Sequence, residues 1–256
     1  MTEITDTKKA LFEYCLRLGD NNLILGHRLS EWCGHGPVLE QDIALINVAL
    51  DLVGSATSLL EYAAEVEGKG RSADDLAYLR DELHFRNVML VEQPNGDFAY
   101  TIARQFFYDV YSYHLNEALK SSKDPRLSAI AEKSLKEITY HLRHSSEWII
   151  RLGDGTDESK RRMQAAVDDL WMHTGDMFVM NETDALLIKE GIAVDKSLIK
   201  LQWDKMVKEI MNRATLTIPA NIFMLTGSLE GKHTEHLGFL LAEMQYLPRA
   251  YPDAKW

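Results

Sequence analysis

The sequence predicts an all-α protein, and three observations carry the prediction. Glycine and proline cluster so as to cut the chain into long blocks, and apolar residues recur within the blocks at three- and four-residue spacing. No stretch of any length shows the alternation of a half-buried strand. The first block runs from about Thr7 to Trp32 and ends at Gly34-His35-Gly36-Pro37. Pro37 suits the first turn of a second helix, where its missing N–H costs little. That helix carries Ile43, Ile46, Leu50, Val53 and Leu60 at spacings of three, four and seven, and stops at Gly68-Lys69-Gly70. Ser72 with Asp75 three residues on has the form of a capping box with a shorter acid, opening a third helix. Gln93-Pro94-Asn95-Gly96 breaks the chain before a fourth helix, about Phe98 to Ser121. Asp124-Pro125 reads as the cap and first residue of a fifth, closed by Gly153-Asp154-Gly155. A sixth spans about Asp157 to Phe178, another about Asp195 to Arg213, and a last short one lies near Thr234 to Tyr246 before a proline-containing tail.

At 256 residues with 46% hydrophobic content, the chain can bury a substantial core, so disorder is excluded. The formal net charge is −11, and no Lys/Arg cluster offers the basic patch that nucleic acid requires. Anionic membrane surfaces are disfavoured for the same reason. The residues after Met1 contain no apolar run of signal-peptide length, and no uninterrupted stretch reaches the ~20 apolar residues of a membrane span. If both cysteines, Cys15 and Cys33, lie on the first helix, they stand about 27 Å apart, too far for a disulfide. A reducing cytoplasm is the expected compartment.

The acidic residues form a pattern. Carboxylate-bridged di-iron bundles of the ferritin type set one acid on each of two helices and an acid-x-x-His pair on each of two others, because positions three apart share a helix face. Asp51 lies on the second helix, and Asp81-Glu82-Leu83-His84 supplies an acid-x-x-His pair 30 residues later. Asp109 on the fourth helix is followed 28 residues later by Glu137 on the fifth. The second histidine is missing: Tyr140 stands three after Glu137, and His141 comes one residue later, rotated by about 100°. Three of the four acids are the shorter Asp. A buried group of carboxylates must hold metal, meet a basic side chain or open to water, and Arg80, Arg86 and Arg104 are near enough in sequence to serve.

Other features read more simply. His141 and His144 fit a partly exposed helix surface, and Trp32, Trp148 and Trp171 fit core or interface anchors. His233-Thr-Glu-His236 fits a partner contact or a local capping role. Neither a phosphate-binding glycine loop nor a hydrolase elbow is present.

Longer runs carry a resemblance. Leu16-Arg-Leu-Gly-Asp20, Leu29-Ser-Glu-Trp-Cys-Gly-His35, Leu50-Asp-Leu-Val-Gly54 and Leu90-Val-Glu-Gln-Pro-Asn-Gly96 with Thr101-Ile-Ala-Arg-Gln105 resemble the C-subunit family of the multicomponent phenylacetyl-CoA epoxidases. So do Lys136-Glu-Ile-Thr-Tyr-His-Leu-Arg143, Arg151-Leu-Gly-Asp-Gly-Thr156, His233-Thr-Glu-His-Leu-Gly238 and Leu241-Ala-Glu-Met-Gln-Tyr-Leu247, so that the likeness covers nearly the whole chain. The resemblance implies a ferritin-like subunit of an NADPH- and O2-dependent monooxygenase complex of phenylacetate catabolism. It further implies a homologous catalytic A subunit that holds the di-iron centre, other epoxidase subunits, and a reductase with flavin and an iron–sulfur cluster.

The expectation is therefore a single ferritin-like helical domain over 1–256. Its four-helix core lies at about 38–152, with additional helices and a C-terminal helical extension at about 182–256. The expected function is that of a non-catalytic structural subunit without catalytic, cofactor or metal residues of its own. Asp51, Asp81, His84, Asp109, Glu137, Tyr140 and His141 are expected as vestigial di-iron positions. Expected partners are the A subunit, other epoxidase subunits and further copies of the chain, with neither nucleic acid nor membrane among them. Two alternatives stay open: a stand-alone di-iron carboxylate oxygenase with a degenerate ligand set, and a ferritin-like binding or storage protein.

Overall fold

The computed structural model describes residues 2–252 and 254; of the C-terminal extension expected to 256, residues 253, 255 and 256 lie outside the described residues. Among the described residues all regular structure is helical, in eleven α-helices and four 3₁₀ turns. The chain is all-α, as its periodicity predicts, and folds into two compact units of discontinuous sequence.

The first unit contains the residues up to Gln93, Asn181–Leu187 and the residues from Gly227 on. Its frame is an antiparallel pair, α1 (Thr2–Ser30) and α2 (Leu39–Glu67). The turn between them is fastened by Asp42, whose carboxylate accepts from the Gly36 amide at 2.9 Å and the Gly34 amide at 3.3 Å. Those bonds hold its pKa below the usual carboxylate value. Gly26 of α1 lies against α2: a Cβ there would stand 2.9 Å from Val53 Cγ2 and 3.2 Å from the Ala49 carbonyl oxygen. Two turns earlier on α1, a Cβ on Gly19 would stand 2.9 Å from Leu60 Cδ2. The two glycines, seven apart, set how closely the helices approach.

The buried side of α2 is Ala44, Leu45, Val48, Ala49, Leu52, Ala56, Leu59, Leu60 and Ala63. Of the row read from the sequence, Leu60 joins it, whereas Ile43 and Leu50 face outward. The helix is apolar on both sides, and by length and composition it could cross a membrane: an 18-residue window within it has mean hydropathy 1.8. A search for an uninterrupted apolar run misses this because Asp51 interrupts the run without lowering the average by much.

The capping box at Ser72 is present, with Ser72 Oγ accepting from the Asp75 amide and Asp75 accepting in return. The helix it opens, α3 (Ala73–Tyr78), is only six residues long. A 3₁₀ turn (Glu82–His84) and α4 (Met89–Glu92) follow. The unit is completed by the start of α8 (Glu182–Glu190), whose residues to Leu187 belong to it, and by α10 (Glu235–Met244) and α11 (Tyr246–Ala250). Cys15 is buried, Cys33 is exposed, and neither forms a disulfide.

The second unit, Pro94–Met180 and Ile188–Thr226, is built on α5 (Phe98–Leu119). Asp97 caps α5 by accepting from the Tyr100 amide. Against it pack α6 (Pro125–Gly153), α7 (Asp157–Leu170) and α9 (Lys196–Arg213). Asp124 and Pro125 open α6 as their order predicts, with Asp124 accepting from the Arg126 and Leu127 amides. The sixth predicted helix ends early, at Leu170, and continues to Phe178 as two 3₁₀ turns. The core is aromatic: Trp171, Trp203, Phe106, Phe107 and Phe178 stack with neighbouring ring centroids 5.5–5.9 Å apart. Trp203 satisfies its indole N–H by donating to the Phe107 carbonyl at 2.9 Å. Trp148 lies at the edge, half-buried, with Phe98 edge-on at 5.0 Å.

Candidate functional site

The acid-x-x-His pair of the first unit does not lie on a helix. Because α3 stops at Tyr78, Asp81 precedes the 3₁₀ turn and His84 ends it, and both are exposed. Asp81 accepts from Arg249 of α11 at 3.1 Å, a surface ion pair. Asp51 sits half-buried on α2, which packs mainly against α1 and touches α3 less extensively. The pairing of Asp51 with Asp81 and His84 thus assumed a long third helix that the chain does not form. Here Arg80 commits to another acid: its guanidinium grips buried Asp20 of α1 with two N–H donors, one at 3.0 Å, and Asp20 also accepts from the Arg86 amide at 2.9 Å. Arg86 itself pairs with Glu13 at 2.9 Å.

In the second unit the fifth predicted helix forms, but in a different register. The buried row of α6 is Leu127, Ala131, Ser134, Ile138, His141, Ser145 and Ile149, which leaves Glu137 half-buried and Tyr140 exposed. Tyr140 stacks on His144 with centroids 6.3 Å apart and rings inclined by 26°. His141 is buried, against the expectation of a partly exposed surface, whereas His144 is half-buried. Burial, and then the neighbouring His141, lowers the His144 pKa. The residue that meets Asp109 across the pair is Ser145, whose hydroxyl donates to Asp109 Oδ2 at 2.7 Å, while Gln105 Nε2 donates to Oδ1 at 2.7 Å. Side chains lean toward the N-terminus of their own helix. In an antiparallel pair this moves the contacting residue of α6 about two positions further from the turn. The rest of the shift, to 36 residues after Asp109 instead of 28, is set by how the two helices are offset along their axes. Asp109 is fully buried, and burial, only partly offset by Ser145 and Gln105, pushes its pKa up to about 8. Arg104 is buried too and donates to Asn95 Oδ1 at 2.7 Å.

A family described as phenylacetic acid catabolic protein matches residues 1–256 of this chain. The chain belongs to that family. It is also similar to the C subunit of the 1,2-phenylacetyl-CoA epoxidase of Escherichia coli (strain K12), with 51% identity over 246 residues, 96% of this chain and 99% of the relative. The resemblance read from the sequence is thereby shown, and with it the ferritin-like class of the family.

A di-iron centre needs ionised carboxylates and imidazoles grouped around the ions. Within neither unit do the described residues group three His, Cys, Asp or Glu side chains in that way. Asp109 is fully buried and its two carboxyl oxygens accept from Ser145 and Gln105, and Asp81 and His84 stand on an exposed turn. A di-iron centre of that kind therefore does not fit the described residues, and no reaction step is assigned to them.

The polar groups that are buried instead perform structural work, and apart from His233 the sequence reading did not single them out. Glu92, fully buried, accepts from Asn87 Nδ2 at 2.9 Å and from the Thr234 amide, and pairs with His233 Nδ1 at 3.0 Å. The other imidazole nitrogen contacts the Phe85 carbonyl at 3.1 Å. Arg28 donates to the carbonyls of Glu92 and His236, fastening the same segment to α1. His233 thus anchors the start of α10, in keeping with a local structural role for that motif. Arg17 and Asp184 form a further buried pair at 2.8 Å. For Glu92 the signal was an acid closing the apolar run Val88-Met-Leu-Val91.

Proposed function

We propose that this chain is the structural C subunit of a phenylacetyl-CoA 1,2-epoxidase and does not itself carry out the oxidation. The observation that carries the reading is its end-to-end similarity to the bacterial C subunit. The misfit of its acidic residues to a metal pair supports the non-catalytic half of the reading. In this proposal a homologous A-type subunit holds the two irons and reduces O2 at the aromatic ring of phenylacetyl-CoA. Electrons come from NADPH through a reductase with flavin and an iron–sulfur cluster. The present chain binds the A-type subunit and other epoxidase subunits in the cytoplasm, with both cysteines as thiols, and holds the catalytic bundle in working shape.

The test combines iron analysis with reconstitution. The purified chain is expected to hold well under one iron, and the complex with the A-type subunit about two per catalytic chain. NADPH- and O2-dependent consumption of phenylacetyl-CoA is expected only when both are present with the reductase. About two irons in the isolated chain would overturn the structural reading, and full activity without this chain would overturn the subunit reading.

A further inference from the structure

The outward side of α2 has no counterpart in the first unit's core. Leu39 is 73% exposed, Ile43 51% and Leu50 64%, with Ile46 half-buried among them. At 100° per residue these positions fall on one stripe, and Gly54 continues it one turn beyond Leu50. A Cβ built on Gly54 would have nothing within 4 Å, so the backbone itself is open to a neighbour there. Only 44% of the most apolar window of α2 is buried, although its mean hydropathy would suit a membrane span. The stripe leaves on the order of 400 Å² of apolar surface open, the size of patch that marks an interaction site and about half of one side of a standard interface.

Charge decides what covers it. The acids of α2 that border the stripe are Glu40 and Asp51, since Asp42 is tied to the turn amides and Glu61, Glu65 and Glu67 lie beyond Gly54, and the helix contains no Lys, Arg or His. Two copies pairing through this stripe would bring carboxylates onto carboxylates, and an anionic lipid surface would be repelled in the same way. A partner with a matching apolar row edged by cations meets both demands at once. We infer that the stripe from Leu39 to Gly54 on α2 docks a helix of a different polypeptide, one whose apolar row is flanked by Lys or Arg. The inference rests on the reading of this chain as a subunit and locates the surface through which it joins its assembly. Gly54 lets the two helix backbones come close at the end of the stripe.

The full-length chain is co-expressed with the A-type subunit, and the complex is measured by sedimentation and by titration in low and high salt. The wild type binds, and more weakly at high salt because the rim is charged. Leu50→Lys and Gly54→Leu each weaken binding by about tenfold or more. Both leave the isolated chain's melting temperature unchanged or raised, since neither side chain enters the core. Leu201→Lys, at an exposed position of α9, binds as the wild type does. If the wild-type complex forms and both α2 variants bind within about twofold of it, this inference is overturned while the subunit reading stands. Absence of any wild-type complex overturns both. A homodimer, or binding to zwitterionic vesicles, that Leu50→Lys abolishes would replace the heterotypic partner with a second copy or a lipid surface.

Discussion

At Asp109 a single carboxyl shows how a position that looks like a metal ligand serves the fold. Its oxygens accept from Gln105 and Ser145 in a buried site, and burial holds the proton on to about pH 8. The folded state thus binds a proton that the unfolded chain releases near pH 4, so this group makes stability fall as pH rises from about 4 to about 8. The slope is at most ~1.4 kcal/mol per pH unit. Asp109→Asn removes the titration; denaturant melts across that range should show a flatter profile and a variant at least as stable as the wild type at pH 8. His233 also has a raised pKa, and here the cause is a partner. Desolvation works to lower its pKa, but the bond to Glu92 and the Glu92 charge outweigh it and leave the value raised. Its stabilisation is therefore complete below the unfolded value near 6.5 and is lost as pH climbs through the folded one. The stability gap between wild type and His233→Ala should narrow as pH rises above about 6.5. Between Arg80 and Asp20 both charges are buried, so removing one strands the other. Arg80→Met should cost about 3–5 kcal/mol by urea unfolding, and the double variant Arg80→Met with Asp20→Leu should recover much of that.

Helix by helix, most of the punctuation was legible. The breaks at Gly34–Pro37, Gly68–Gly70, Pro94–Gly96 and Gly153–Gly155 all separate helices, because Gly and Pro act through local backbone geometry alone. What periodicity alone leaves open is which apolar side of a helix is the inner one. On α2 the row of Ile43 and Leu50 is as regular as the buried row, and only the packing of α1 against Ala49 and Val53 separates them. Gly26 and Gly54 turn this into a test with opposite signs. Gly54→Ala adds helix propensity in open space and should stabilise by about 0.5–1 kcal/mol. Gly26→Ala gains the same propensity but drives a methyl group into Val53 and the Ala49 carbonyl, and should destabilise by about 1–3 kcal/mol net. Thermal melts of the two variants check both.

For the molecule as a whole, the all-α class, the helix caps at Ser72 and Asp124 and the family were all readable from the residues in order. These depend on local spacing and on long runs of similar sequence, which a linear text preserves. The candidate centre was legible only as a list of acids. That Asp109 meets Ser145 and not Glu137, that Asp81 and His84 stand on a surface turn, and that Asp20, Glu92 and Asp184 are the acids sealed inside the first unit were decided by tertiary structure. The physical reason is common to all three. A carboxylate becomes a ligand, an ion-pair partner or a neutral hydrogen-bonding acid according to what packs against it, and that depends on helix length, side-chain lean and burial, none of which the spacing of residues determines.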